Sequence, residues 1–552
     1  MPTSPGPGQS VPAADSRPER AAMAERPWLT LVSVSLGVMM LLLDTSIVSV
    51  ANPVIGRDLG GSLADLQWVT SAFLLTLATG LVAGGKLGDH YGRRRLFMAG
   101  AICFALTSAG CGLSTSMGML IGFRVAQGLA GAAMLPQTLS TLRATFPPQR
   151  FQVAVGIYVA VSSVAIASGP IVGGVLVQDV GWRSIFFINI VIGAVLVAAA
   201  RAFVPETSDS RSGGIDTAGV LLLAAALFCL LWAIVNSSSH PWGSGYTLAF
   251  LAAAVILLSG WAARMTWAAA PLIPLSLFRS ASFAAGIGVV STAGFTLYGT
   301  LFYLMLYLQR VQGHSPITAG AELLPLTVLS GAAAPLAGQL AHRFPLRLVL
   351  ASGLLLGGVG AFGLTTVEVG TALSSLWPWY ALIGIGVGCS LTGGSQAVVG
   401  SVPPARAGVA TGIQQTSINV GGALATAVLG SVMVASVGDN LPSSLASNHL
   451  SPGLTAKLEA SKSTIAQGVV PHLHGLDRQA EAAVVSAAQQ AVTSSVHLAF
   501  TVIAAIALAA GLAALGLVKT KAHHPGAAHA EPTAVGDRAP MSQLRRRSAK
   551  VA

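Results

Sequence analysis

Residues 41–53 read LLLDTSIVSVANP and close an apolar run that begins at Trp28. The run exceeds the about 20 residues that a helix needs to cross a hydrocarbon core of about 30 Å. It therefore predicts a membrane-spanning helix. Asp44, inside it, is a carboxylate at a depth where charge is costly and ionisable groups are mostly paired or functional. An oily helix with one embedded acid sets the terms for reading the other 500-odd positions.

Comparable runs lie near 28–50, 66–86, 97–114, 118–142, 152–178, 184–204, 216–236, 245–264, 283–308, 316–341, 346–366, 375–398, 407–436 and 493–518. The expectation is an all-α integral membrane protein with fourteen transmembrane helices. Composition agrees: 53% of residues are hydrophobic and 9% charged, with mean hydropathy +0.72. The charged share is roughly a third of that of a soluble domain, so a soluble enzyme is excluded. The four cysteines all fall in apolar runs and form no CxxC pair, which argues against a disulfide framework or zinc site. Residues 1–27 read as a disordered cytoplasmic tail, 519–552 as a cytoplasmic basic tail, and 437–492 as a long extracytoplasmic loop.

Lys and Arg orient the chain. With the N-terminus inside, 23 fall on the inner side and 6 on the outer, and Arg124 lies within a span. That bias predicts both termini in the cytoplasm. It also accounts for the net charge of +11 without a nucleic-acid partner. The partners expected are the bilayer, protons and a small amphipathic molecule, with the monomer as the working unit.

Two segments recur. PPQRFQVAVG at 147–156 matches PPARAGVATG at 403–412 at six of ten positions, and GKLGDHYGRRR at 85–95 has a weaker echo in GQLAHRFPLRL at 338–348. The offsets, 256 and 253, are nearly constant. They predict two related six-helix bundles, 28–205 and 276–518, separated by two inserted helices within 206–275. Parallel repeats of this kind build transporters, with the ligand site between the halves.

GKLGDHYGRRRLF at 85–97 resembles the signature loop between helices 2 and 3 of the major facilitator superfamily. RVAQGLAGAA at 124–133 resembles its helix-4 motif and SGPIVGG at 168–174 its antiporter motif. LDTSIVSVANP, WRSIFFINIVIG at 182–193 and YLQRVQGHSPITAGAELLP at 307–325 are similar to the fourteen-helix drug:proton antiporter subfamily. The resemblance implies alternating access. It also implies a conformational switch at Gly85, Gly88, Asp89, Gly92, Arg93 and Arg94, and a seal or hinge at Gly169, Pro170, Gly173 and Gly174. His90 stands where the family has Arg, and Ala165 replaces a motif glycine. Topogenic charge alone would explain the arginines, and ordinary helix packing the glycines. GLVAGGKL at 80–87 fits half of a phosphate loop, but Leu87 replaces the required Ser or Thr. No cofactor is expected, and a proton gradient is the energy source.

Asp44, Arg124 and Glu322 are the ionisable residues that fall clearly within spans. At 1.5 Å per residue, Asp44 lies about 24 Å in from the inner side and Arg124 about 9 Å down from the outer. They therefore share a depth and pair, either as a proton-coupling site or as a static buried salt bridge. Glu322 stands equally as an interfacial ion pair with Arg310 or His314 and as a second proton site. Gln127, Gln414, Gln415 and Asn419 are candidates to hydrogen-bond a substrate, or serve as glue between helices. These residues point to a proton-coupled exporter of hydrophobic or amphipathic compounds in a bacterial cytoplasmic membrane. The alternative is a dedicated exporter of one endogenous metabolite.

Overall fold

The computed structural model describes residues 27–208, 216–236, 240–268, 275–402, 407–447, 458, 465 and 478–517. The tails at 1–26 and 518–552, the His472–His474 pair and most of 448–477 lie outside the described residues. Among the described residues every regular element is helical.

The first six helices are α1 (Pro27–Leu59), α2 (Leu63–Tyr91), α3 (Arg93–Gly112), α4 (Met117–Thr145), α5 (Pro148–Val175) and α6 (Ser184–Phe203). Two follow as a hairpin, α7 (Thr217–Val235) and α8 (Gly245–Trp267). The rest are α9 (Ala281–Leu306), α10 (Pro316–Glu322), α11 (Leu324–Arg343), α12 (Leu346–Gly363), α13 (Leu373–Val399), α14 (Ala407–Ser447) and α15 (Arg478–Leu517). Short α10 and α11 together form one rod.

Among the described residues fourteen rods result, but not all meet the demands of a span. Twelve are long and apolar enough, and α2 makes a thirteenth if its two parts, bent by 50°, count as one. Lys86, Asp89 and His90 polarise the last turns of α2. The apolar helix formed by the end of α5 and the π-helical turn Leu176–Val180, Val164–Val180, is short. The expected fourteen crossings thus narrow to twelve or thirteen by this measure. The stretch expected as a loop at 437–492 is helical at both ends, since α14 runs to Ser447 and α15 starts at Arg478.

The repeat is visible in the packing. In the first half α2 lies on α4, α3 on α4 and α6, and α1 on α5 and α6. In the second, α11 lies on α13, α12 on α13 and α15, and α9 on α14 and α15. Arg93 and Leu346 start equivalent helices 253 positions apart, and Met117 and Leu373 start another pair 256 apart. The central helix of each half, α1 or α9, is the most buried span, whereas α8 is the least. The α7–α8 hairpin rests on α2 of one half and α14 of the other, across the seam. At its base Asp216 caps α7 through the Gly219 N–H (2.9 Å) and accepts from Arg264 Nε on α8 (2.7 Å). Burial alone would raise the Asp216 carboxyl. The Gly219 N–H and Arg264 outweigh it and hold the group below the usual carboxylate value.

At the face where α1 ends, the two halves close on each other. Gln309 Nε2 donates to the Val50 carbonyl (2.8 Å), and Arg310 donates to the Pro53 carbonyl. Glycines permit a close approach between α5 and α10. A Cβ on Gly174 would stand 2.6 Å from the Ile317 Cα, and one on Gly320 would overlap the Pro170 carbonyl.

Candidate functional site

Asp44 lies in a buried polar stretch of α1, with Thr45, Ser46 and Ser49 close by in sequence, and the side chains of Asp44 and Arg124 are each 1% exposed. Neither can hydrate, so each needs a protein partner. Arg124 on α4 donates from Nη1 to Asp44 Oδ2 at 2.6 Å. The other carboxylate oxygen accepts from Gln127 Nε2 (3.1 Å) and from Asn189 Nδ2 on α6 (2.8 Å). Three helices thus converge on one carboxylate.

A second layer fixes those partners. Arg124 donates to the Val69 carbonyl of α2 (3.1 Å) and to Gln127 Oε1 (2.7 Å), and its guanidinium lies 4.0 Å from the centre of the Phe73 ring. Asn189 also donates to Ser108 Oγ (3.0 Å), which donates to the Phe186 carbonyl (2.8 Å). Cys111 Sγ reaches Gln127 Oε1 at 3.7 Å. The result is a preorganised cage around one carboxyl group, fed by α1, α2, α3, α4 and α6. Breaking a buried pair by removing one partner typically costs about 3–5 kcal/mol. The pair is therefore firm while its geometry holds and fails abruptly once its helices move apart.

The expected residues separate into groups. Asp44, Arg124 and Gln127 come together, and Gln127 belongs to the charge cage. Asn189, Ser108 and Cys111 were not singled out from the sequence. Gln414, Gln415 and Asn419 sit on α14, where Asn419 Nδ2 donates to the Gln415 carbonyl (2.9 Å) and the buried Gln414 Oε1 has no partner among the described residues. Glu322 stands apart from the cage. It accepts from Trp377 Nε1 at 2.6 Å and forms no ion pair with Arg310 or His314 among the described residues.

The loop between α2 and α3 forms a second charged cluster. Gly92 joins the helices at φ 104°, a left-handed conformation that glycine adopts readily. Arg93 bridges back to Asp89 (2.8 Å) one turn earlier. Glu206, just beyond α6, accepts from the Arg94 N–H (3.1 Å) and lies 3.7 Å from the guanidinium nitrogens of both Arg94 and Arg95. An acid at the start of α3 also suits the positive end of the helix dipole. The resemblance implies a conformational switch at this loop. The ion pairs seen in this conformation join the loop to itself and to Glu206 at the start of the following linker. On α5, Gly169 faces Ser46 of α1, Gly173 faces Ile47, and Gly174 meets α10 at the closed face.

The family model described as Major Facilitator Superfamily matches residues 34–426, which spans the cage, the loop cluster and most of the second half. The chain belongs to the Major Facilitator Superfamily. As a member of that superfamily it is a multi-pass membrane transporter and not an enzyme. It is 40% identical over 505 residues to the tetracenomycin C resistance and export protein of Streptomyces glaucescens, covering 91% of this chain and 94% of that one. It is 34% identical over 410 residues to the multidrug resistance protein Stp of Mycobacterium tuberculosis, covering 74% and 76%. Among solved structures, it is similar to the inward-facing, unoccupied bacterial homologue of the human lysosomal transporter Spinster. That match has TM-score 0.60 at 18% identity and covers 92% of this chain and all of that one.

Proposed function

We propose that this protein exports hydrophobic or amphipathic small molecules across a bacterial cytoplasmic membrane in exchange for protons, by alternating access. The carrying observation is the fully buried Asp44–Arg124 pair, held by Gln127 and Asn189 at the centre of a transporter bundle. A carboxylate locked by a cation and two amide donors keeps its charge. A rearrangement that withdraws Arg124 leaves a stranded charge in a dry site, which takes up a proton instead. Proton uptake and helix movement are then one event, and the gradient drives the cycle. Each charge moved down 100 mV supplies about 2.3 kcal/mol.

The excess of Lys and Arg on the side of the tails supports cytoplasmic termini, with the α5–α10 closure then on the outer side. The amides of α14 fit a neutral or weakly charged substrate, and the monomer suffices for the cycle. Proteoliposomes test the exchange. Adding substrate on one side should move protons in the opposite direction, and the Asp44→Asn protein should show no such movement. Full proton exchange by that variant would rule out the coupling role.

A narrower second reading has its own support in the 40% identity, over nearly the whole of both chains, to an export protein named for tetracenomycin C. In that reading the substrate is one endogenous metabolite. A panel of unrelated drugs separates the two: protection against one chemotype alone favours the dedicated exporter.

A further inference from the structure

A cavity of about 840 Å³ lies away from the Asp44 cage, between α2, α4 and the inserted helix α7. Its residues on α7 recur on one face, at Leu221, Ala225, Phe228 and Trp232, and α2 answers with Trp68, Ala72 and Leu75. From Ser62 to Thr79 the α2 wall rises by about 25 Å.

The aromatic rings gather at one end. Trp68 is 8% exposed and lies 5.7 Å, centre to centre, from both Phe228 and Trp232. Interfacial belt residues face the headgroups, whereas Trp68 is turned inward. Asp65 lines that same end, one turn before Trp68, and is the cavity's sole ionisable lining residue. One of its oxygens accepts from the Ser62 N–H and hydroxyl (2.8 and 2.7 Å); the other has no partner among the described residues. Leu221 and Phe228 are 64% and 42% exposed, so the rim faces the surroundings of the bundle, which for a membrane helix is lipid.

We infer that this chamber is a lateral binding site for an aromatic amphiphile with a basic end. Its flat body would lie against Trp68, Phe228 and Trp232, its cation would meet Asp65, and it would enter from the bilayer past α7. Volume fits: drug-sized ligands occupy pockets of about 300–1,000 Å³. Aromatic faces attract both flat rings and cations. A free carboxylate oxygen disfavours the anionic headgroup of a phospholipid, and an acyl chain would need no aromatic wall. Because α7 rests on both α2 and α14, an occupant sits beside the seam between the halves. The inference concerns binding, and it stands or falls independently of proton exchange.

The full chain in lipid nanodiscs provides the test, with rhodamine 6G as a cationic aromatic probe and Nile red as a neutral one. Ala225→Trp, which fills the chamber, should weaken rhodamine 6G binding at least about tenfold, the loss expected when several ring contacts go. Asp65→Asn should weaken rhodamine 6G about threefold to tenfold and Nile red less than about twofold. An aryl-azide aromatic ammonium should label peptides within 62–79 and 217–236 of the parent protein, which requires no variant to fold. Unchanged rhodamine 6G affinity in both chamber variants, or label confined to other helices, overturns the inference. So does a phospholipid that co-purifies with the parent and is lost from Ala225→Trp while rhodamine 6G binding is unaffected.

Discussion

The two halves share their helix packing and differ in what lies at the centre. At the offset of 254 between Pro27 and Ala281, Asp44 is matched by Tyr298; at 256, Arg124 is matched by Tyr380. An ion pair in one half thus stands opposite two phenols in the other. Tyr380 is buried, and its hydroxyl has no partner among the described residues, nor have those of Thr296 and Thr300. The loops differ in the same sense, since Asp89 is matched by His342 and Gly92 by Pro345. At these matched positions the acidic charge lies in the first half. The second supplies a counterpart surface.

The most severe way to break this contrast is Arg124→Ala, which strands a carboxylate that is 1% exposed. It should destabilise the protein by about 3–5 kcal/mol, read as a lowered unfolding midpoint in detergent or nanodiscs. Asp44→Asn should fold, because an amide still bonds to Gln127 and Asn189, yet lose uphill export at least about tenfold. Uncoupler-sensitive efflux of a fluorescent substrate measures that loss, and tenfold corresponds to about 1.4 kcal/mol.

Asn189→Ala removes one donor from the carboxylate and should cost about 1–3 kcal/mol of stability, read as a lowered unfolding midpoint. Tyr380→Phe, at the position equivalent to Arg124, should change stability by less than about 0.5 kcal/mol, since it deletes an unpaired hydroxyl. A large transport defect in that variant would end the asymmetry.

The smallest effect concerns the inserted hairpin. The folded Asp216 carboxyl is held below its unfolded value of about 3.9. The clasp therefore contributes fully above that value and fades as pH falls through the lower folded one. Arg264 is 44% exposed, so Arg264→Ala should cost less than about 1 kcal/mol at neutral pH and nothing extra in strong acid. Acid titration of the unfolding midpoint checks this.

The Asp44–Arg124 pairing was legible in the sequence because helix rise converts residue number into depth, and charges at one depth in lipid seek each other. Gln127 is three residues after Arg124, and hence on the same helix face; that spacing was the available clue to its place in the cage, where it had been read as a substrate ligand. Asn189 and Ser108 carried no such mark, as neutral polar residues are common in spans and their partner is 145 positions away for the Asn189–Asp44 bond. Glu206 escaped notice for a similar reason: it lies 112 residues from Arg94, in a linker whose path the sequence does not encode locally. The Glu322 expectation rested on sequence proximity to Arg310. Burial in the bundle instead directs Arg310 to a carbonyl of α1 and leaves Glu322 to an indole.

At the α5–α10 closure Gly174 stands against the Pro316–Ile317 backbone and Gly320 against the Pro170 carbonyl, main chain against main chain. A latch of that kind has no side chain to lengthen, shorten or recharge, so its travel is fixed by atomic radii. Substitutions elsewhere can then alter the cargo while the stroke stays the same. A family built around such a latch can diversify what it carries without relearning how to close.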